Sequence, residues 1–265
     1  MEERSPGSYR LALRGSMIRS PFGVRNVKIY LDDFPLTDAG GNTYFNLIDP
    51  FSIDQINVLK GPDGSIYGAN SGGVVSVYSK GFNEITKSKV DLQLTGGSYG
   101  LFQQQLSAVL PVNETQQIAI NQRWTRSDGH RAHTALNKKN IQRNYNWQYT
   151  RSSVLKFTGF YSDLGYPTPS GLTAAQMERD RRQSRPKGGP NPSAAEQKAA
   201  NYEKTFFGGV SNSTQINSKL TLFASVFGSS NQIKNPFITN YEKRDENNLG
   251  SRIYLSYADL FSQTL

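Results

Sequence analysis

Two adjacent carboxylates, Asp32-Asp33, and two histidines three apart, His130 and His133, have the most obvious chemical reach in the chain. Neighbouring side chains at a strand end point different ways, and no third or fourth oxygen ligand is spaced to join the carboxylates. A divalent cation site is therefore not expected there. The histidines fall in the connecting segment "DGHRAH" of a chain without cysteine, so a structural metal site is not expected either. Ser65 stands among turn residues with no base and orienting group placed to activate it. The stretch "INVLKGPDGSIYGANSGGVVSV", Ile56 to Val77, suggests a phosphate cradle. It contains neither GxxxxGK[ST] nor a GxGxxG opening into a helix, so nucleotide binding is not expected. Neither a catalytic set nor a resident cofactor emerges, and the expectation is binding and transport.

The elements around these residues fall into two regimes. In the first 80 residues, "NVKIYLDDFPL", "SIDQINVLKGP" and "GGVVSVYSK" read as short strands. Gly61-Pro62 is a turn signal, and Gly68, Gly72 and Gly73 permit backbone that a side chain would obstruct. From about residue 88 the period becomes two, with one apolar and one polar face. "KVDLQLT" sets Val90, Leu92 and Leu94 against Lys89, Asp91, Gln93 and Thr95, and "NSKLTLFASVF" aligns Leu220, Leu222, Ala224 and Val226. Strands are expected at 88–95, 101–110, 116–127, 138–148, 152–163, 201–211, 217–229 and 248–258. Links after the second, fourth and sixth read as short, "PVNET" among them. Those after the third, fifth and seventh read as long, and "GGSYG" after the first breaks the rule. Long connections on one side and short on the other are the asymmetry of an outer-membrane barrel.

The bulk composition fits. The 265 residues include 14 Tyr and 14 Phe, only 36% are hydrophobic, and no apolar run approaches a membrane helix. "MEERSPGSYR" has no apolar signal core, so the chain is expected either to act in the cytosol or to start downstream of its biological beginning. The net charge of +9 is dispersed, apart from "ERDRRQSRPK" in the fifth link, and no nucleic-acid partner is expected. That basic run reads as a solvated loop, with attraction of an anionic ligand or lipopolysaccharide phosphate as its functional alternative.

Three segments carry a resemblance: "LRGS" (Leu13–Ser16), "GVRNVKIYLDDFPLTDAGG" (Gly23–Gly41) and "NLIDPFSIDQINVLKGPDGSIYGANSGGVVSV" (Asn46–Val77). Together they resemble the plug of TonB-dependent outer-membrane receptors. "SYGLFQQQLSAVLPVNETQQIAINQRWTRSDGHR" is similar to that family's opening barrel strands. The resemblance implies a β-rich plug with some α/β character, followed by antiparallel transmembrane strands of a plugged barrel of about 22 strands. Residues 1–80 would be the C-terminal part of the plug, and 81–265 the first portion of the barrel, about eight strands. A full barrel needs about three times as many strand residues. The chain is thus expected to be an internal fragment or the product of a broken gene, with signal peptide and coupling box outside it. An open sheet edge is not tolerated in lipid, so the barrel portion alone is expected to aggregate.

The implied function is energy-coupled import of a ligand, most often a ferric siderophore, across the outer membrane of a Gram-negative bacterium. Alternatives are cobalamin, oligosaccharide or peptide by the same route, a non-transporting remnant, or a surface signal receptor. The implied partners are a TonB-type inner-membrane complex, outer-membrane lipid and lipopolysaccharide, and the ligand. Tyr44, Phe45, Tyr99 and Tyr166 are candidates for an aromatic ligand surface, although Tyr and Phe also form interfacial girdles. Arg14, Arg25, Asp32, Asp33 and Lys60 would hold the plug in register by pairing with one another or with the wall. Gly15, Gly61, Pro62, Gly68, Gly72 and Gly73 would shape the chain between them. Such a network is firm at rest yet displaceable by a pull.

Overall fold

The structure, a computed structural model, describes residues 2–5, 8–11, 13, 27–37, 43, 47–60, 67, 72–82, 87–237 and 240–258. A short antiparallel pair, β1 (Glu2–Ser5) and β2 (Ser8–Arg10), begins it. A four-stranded sheet follows, built from β3 (Val27–Leu31), β4 (Phe34–Pro35), β5 (Ile53–Leu59) and β6 (Gly73–Ser79) in the order β4-β3-β6-β5. β3 and β6 run parallel, and the other pairs antiparallel. The central strands are buried on both faces, which explains the near-continuous apolar runs "VKIYL" and "GVVSV". Gly73 has a φ of +119°, and a Cβ there would come 2.5 Å from the Leu59 carbonyl oxygen, so glycine is required where β6 meets β5.

The remaining eight strands form one antiparallel meander, the wall: β7 (Lys89–Gly97), β8 (Leu101–Asn113), β9 (Gln116–Ser127), β10 (Leu136–Thr150), β11 (Ser153–Pro167), β12 (Ala200–Gln215), β13 (Leu220–Pro236) and β14 (Tyr241–Tyr257). β7 and β14 are the edges of the described sheet, which is open, as an incomplete plugged barrel requires. One wall face packs on the small sheet and buries Gln117, Asn121, Asn140, Gln142, Asn144 and Asn146. The opposite face exposes Val90, Leu92, Leu94, Phe206, Val226 and Ile253. No helix among the described residues is long and apolar enough to cross a membrane.

The strands are longer than the alternation of apolar residues predicts. β13 runs to Pro236 and β14 starts at Tyr241, so only residues 237–240 connect them, where a long loop is expected. Beyond Val226 the outward positions of β13 become Gly228, Ser230, Gln232 and Lys234. Hydropathy fades there while the hydrogen-bonded ladder continues. Likewise Pro111–Asn113 of "PVNET" belong to β8, with an irregular register before the two-residue turn. The fifth connection also holds a short helix, α1 (Ala174–Arg179), whose capping box pairs Thr173 with Gln176.

Candidate functional site

The small sheet and the wall meet along a seam that combines one aromatic insertion with several polar contacts. The β3–β4 turn places Phe34 against the wall, fully buried. Its ring meets Phe207 edge-on at 5.8 Å and Phe227 at 6.1 Å, and Phe207 stacks on Phe160 at 5.2 Å. Beneath it lies Gly209 of β12, where an added Cβ would stand 2.6 Å from the Phe34 ring. With Val27, Ile29, Leu31, Val75 and Val77, these rings form one apolar cluster shared between sheet and wall.

Beside Phe34, Asp32 adopts a φ of +56°, a left-handed conformation that Asp tolerates better than most residues. Its buried carboxylate accepts from the Ser79 amide and the Ser79 hydroxyl, each at 2.8 Å, and from the Thr158 hydroxyl of β11 at 3.0 Å. Asn144 of β10 donates to Asp32 at 3.4 Å and to the Ser79 hydroxyl. Burial pushes the Asp32 carboxyl up to about 6, against the pull of the Ser79 and Thr158 hydrogen bonds. Asp33 turns the other way and accepts from Ser211 of β12 at 3.1 Å. Burial raises it too, opposed chiefly by the charge of Lys156, then by Ser211 and Arg252. Arg252 of β14 lies over the rings of Tyr30 at 5.2 Å and Tyr67 at 4.8 Å.

A second anchor forms where a one-turn 3-10 helix (Pro50–Ser52) precedes β5. Asp49 caps that turn and pairs with Arg123 of β9 at 2.9 Å. Arg123 is held in turn by Gln103 at 2.8 Å and Thr125 at 3.2 Å. Three amide side chains of the wall donate to backbone carbonyls inside: Asn140 to Leu47, Gln117 to Gly81 and Asn146 to Phe82.

On the long-loop side of Phe34, a cavity of about 240 Å³ separates Leu36, Thr37 and Leu47 from the wall residues Phe160, Thr205 and Asn231. Asn231 is buried. Its carbonyl oxygen accepts from Thr205 at 2.8 Å, while its amide nitrogen has no partner. The cavity therefore offers apolar area, with Thr205, Asn231 and Glu246 as polar members of its lining.

The candidate residues from the sequence separate into groups. Asp32 and Asp33 both reach wall hydroxyls and do not share a ligand position. Lys60 is exposed at the end of β5, and Gly72 is buried beside Gly73. Tyr99 sits in the β7–β8 turn with a φ of +58°, its ring edge-on to His130 at 5.3 Å. Tyr166 is buried in β11 and accepts from Asn201 at 3.1 Å. The structure does not bring Tyr99 and Tyr166 together at the cavity. Arg14, Gly15, Arg25, Tyr44, Phe45, Gly61, Pro62 and Gly68 lie outside the described residues. In the long connections, the Arg131 side chain donates to the Ser170 and Gln183 carbonyls, and His133 contacts the Ala199 carbonyl at 2.8 Å. Those contacts stitch two loops together. Sequence reasoning missed Phe34, Gly209, Asp49, Arg123 and Asn231. The visible hint was Arg123, a charge at an inward position of an alternating strand.

Residues 2–75 match the model of the TonB-dependent Receptor Plug Domain. The fold is shared with the ferric citrate transporter FecA in its unliganded form, at a TM-score of 0.73 and 16% identity over 97% of this chain and 40% of that one. It is shared with the siderophore receptor PiuA from Acinetobacter baumannii at 0.68 and 12%, over 97% and 39%. The open form of the ferric-catecholate import receptor Fiu from E. coli K12 aligns at 0.61 and 13%, over 86% and 39%. The chain thus spans about two fifths of the length of these structures.

Proposed function

We propose that this chain, a member of the TonB-dependent siderophore-receptor family, is the plug and first barrel strands of an importer in the Gram-negative outer membrane. Residues 1–80 are the C-terminal part of the plug and 81–265 the first eight strands of the barrel. The observation that carries this reading is the inverted wall. Its buried face is rich in amides and hydroxyls around an apolar patch of Phe160, Phe207 and Phe223, whereas its exposed face carries Val, Leu, Ile and Phe. Only a surrounding of lipid makes that arrangement favourable.

The cargo is a ferric siderophore. It enters from the long-loop side and settles in the cavity over Leu36, Leu47 and Phe160, against Thr205 and Asn231 of the wall. The relatives are described as handling ferric citrate and ferric catecholates, both oxygen-rich chelates. A chain of net charge +9 attracts such anions. The energy-coupling complex of the inner membrane draws on the plug and must break the seam. Asp32–Thr158, Ser211–Asp33 and Asp49–Arg123 are polar contacts that water can replace as the plug moves. Phe34 in its recess above Gly209 sets the resting register.

The test is retention of radioactive iron by detergent-extracted protein titrated with ferric citrate and with a ferric catecholate. Saturable binding of one of them is expected, weakened by Asn231→Leu, which reshapes the cavity lining and strips Thr205 of its acceptor. Saturation by cobalamin, an oligosaccharide or a peptide instead would change the cargo and leave the mechanism. Saturation by none of these would overturn the import reading.

A further inference from the structure

The outward face of the wall changes character toward the long loops. There, strands β9 to β14 present Arg126, Lys139, Lys204, Lys234 and Lys243, with Asp163 and Asp245 as the acids among them. Both acids are already engaged, Asp163 with Lys204 at 3.9 Å and Asp245 with Lys243 at 3.6 Å. Arg126 and Lys139 make no ion pair among the described residues, and they flank one indole. Lys139 is the cross-strand partner of Trp124. The Arg126 guanidinium lies 5.7 Å from the Trp124 ring and 5.6 Å from the Phe102 ring. Trp124 is itself fixed, donating from Nε1 to Asn137 at 3.1 Å.

Two shallow grooves adjoin this pair of cations. One, of about 430 Å³, runs between Trp124, Ile141 and Tyr161. The other, of about 280 Å³, lies over Gly165 beside Leu136 and Tyr202. Lys139 borders both. Glycine keeps the second groove open, since a Cβ at 165 would press on the Tyr202 ring at 3.1 Å. Asp163 stands opposite Lys139 and lines the second groove, but Arg126, Lys139 and Lys204 outnumber it. An apolar channel that ends at this net-positive cluster, where the greasy band gives way to polar residues, has the outline of an acyl chain joined to a phosphate.

We propose that Trp124, Ile141 and Tyr161 seat an acyl chain of an anionic outer-leaflet lipid, and that Lys139 and Arg126 bind its phosphate. Cations at the headgroup level attract anionic lipid, and the attraction falls with salt. The apolar groove restricts the ligand to one with an acyl chain. This site rests on the reading of the outward face as lipid-facing.

The chain has two tryptophans, so Trp147→Phe leaves Trp124 as the single reporter. Membrane-extracted protein carrying that substitution is reconstituted in phosphatidylcholine bilayers. Brominated-chain phosphatidic acid or brominated-chain phosphatidylcholine is added at equal mole fraction. Trp124 fluorescence is expected to be quenched several-fold more by the phosphatidic acid. Raised salt should erase the preference, as should Lys139→Gln with Arg126→Gln. Equal quenching by the two lipids without the charge substitutions, or a preference that survives them, would overturn the site. Absence of quenching by either lipid would instead overturn the lipid-facing reading on which it stands.

Discussion

The two faces of the same eight strands obey opposite rules. Inward, Asn121, Asn140, Gln142, Asn144 and Thr158 are buried, beside a smaller apolar set that includes Val109, Phe160, Leu164, Phe207, Phe223 and Ile233. Outward, Leu92, Leu94, Val226, Leu249 and Ile253 are each more than half exposed. In a water-soluble sandwich the assignment is reversed, because burial follows hydrophobicity. Here most buried amides and hydroxyls lie on the inward face, which meets a plug that needs hydrogen bonds, and the open face needs none. The inner face gains specificity from paired groups, and the outer face gains only by remaining apolar. Substitutions should therefore fail for different reasons on the two sides.

The sharpest break is expected inside, at the Asp49–Arg123 pair. Arg123→Met strands a buried carboxylate, which costs about 3–5 kcal/mol. Adding Asp49→Asn should return most of that loss in urea unfolding of the reconstituted protein. If the double variant is no better than the single one, the pair does not anchor the seam. Next in size is a charge on the outer face. Val226→Arg should cost about 2–4 kcal/mol near the bilayer middle, measured as folding yield into vesicles. Arginine at outward Ser230, nearer the loop end of the same strand, should cost much less.

Gly209→Val tests the aromatic insertion. Phe34 cannot retreat without leaving Phe207 and Phe227, so overpacking of about 1–3 kcal/mol is expected. Phe34→Ala in the same chain should recover part of it, a coupling read by a double-mutant cycle. A further test is the pH dependence of Asp32. Its folded pKa, about 6, lies above the ordinary carboxyl value, so the native state holds the extra proton between roughly pH 4 and 6. Its contribution to stability is full below that window and declines as pH rises through it. Asp32→Asn should flatten this part of the stability–pH curve.

Much of the wall was legible because a period of two survives any amount of loop variation. "KVDLQLT" and "NSKLTLFASVF" contain enough apolar positions to mark a face. The ends were less legible. Ser230, Gln232 and Lys234 continue β13 past the apolar band, where the outward positions are polar and the ladder carries the strand on. The seam was the least legible part. Phe34 and Gly209 are 175 positions apart, and Asp49 and Arg123 are 74 apart, so no local pattern records either meeting. Tyr166 illustrates the converse. Its residue type suggested a ligand surface, and the strand phase turns it inward, where it accepts a hydrogen bond from Asn201.

The central claim is that one face of the wall meets lipid and the other meets the plug. The chain has no cysteine, so single cysteines can be placed at successive positions from Leu222 to Phe227 of β13 and spin-labelled in bilayers. The account expects positions 222, 224 and 226 to be open to dissolved oxygen and closed to a water-soluble nickel chelate. Positions 223, 225 and 227 should be shielded from oxygen. The reverse alternation, or none, would contradict it.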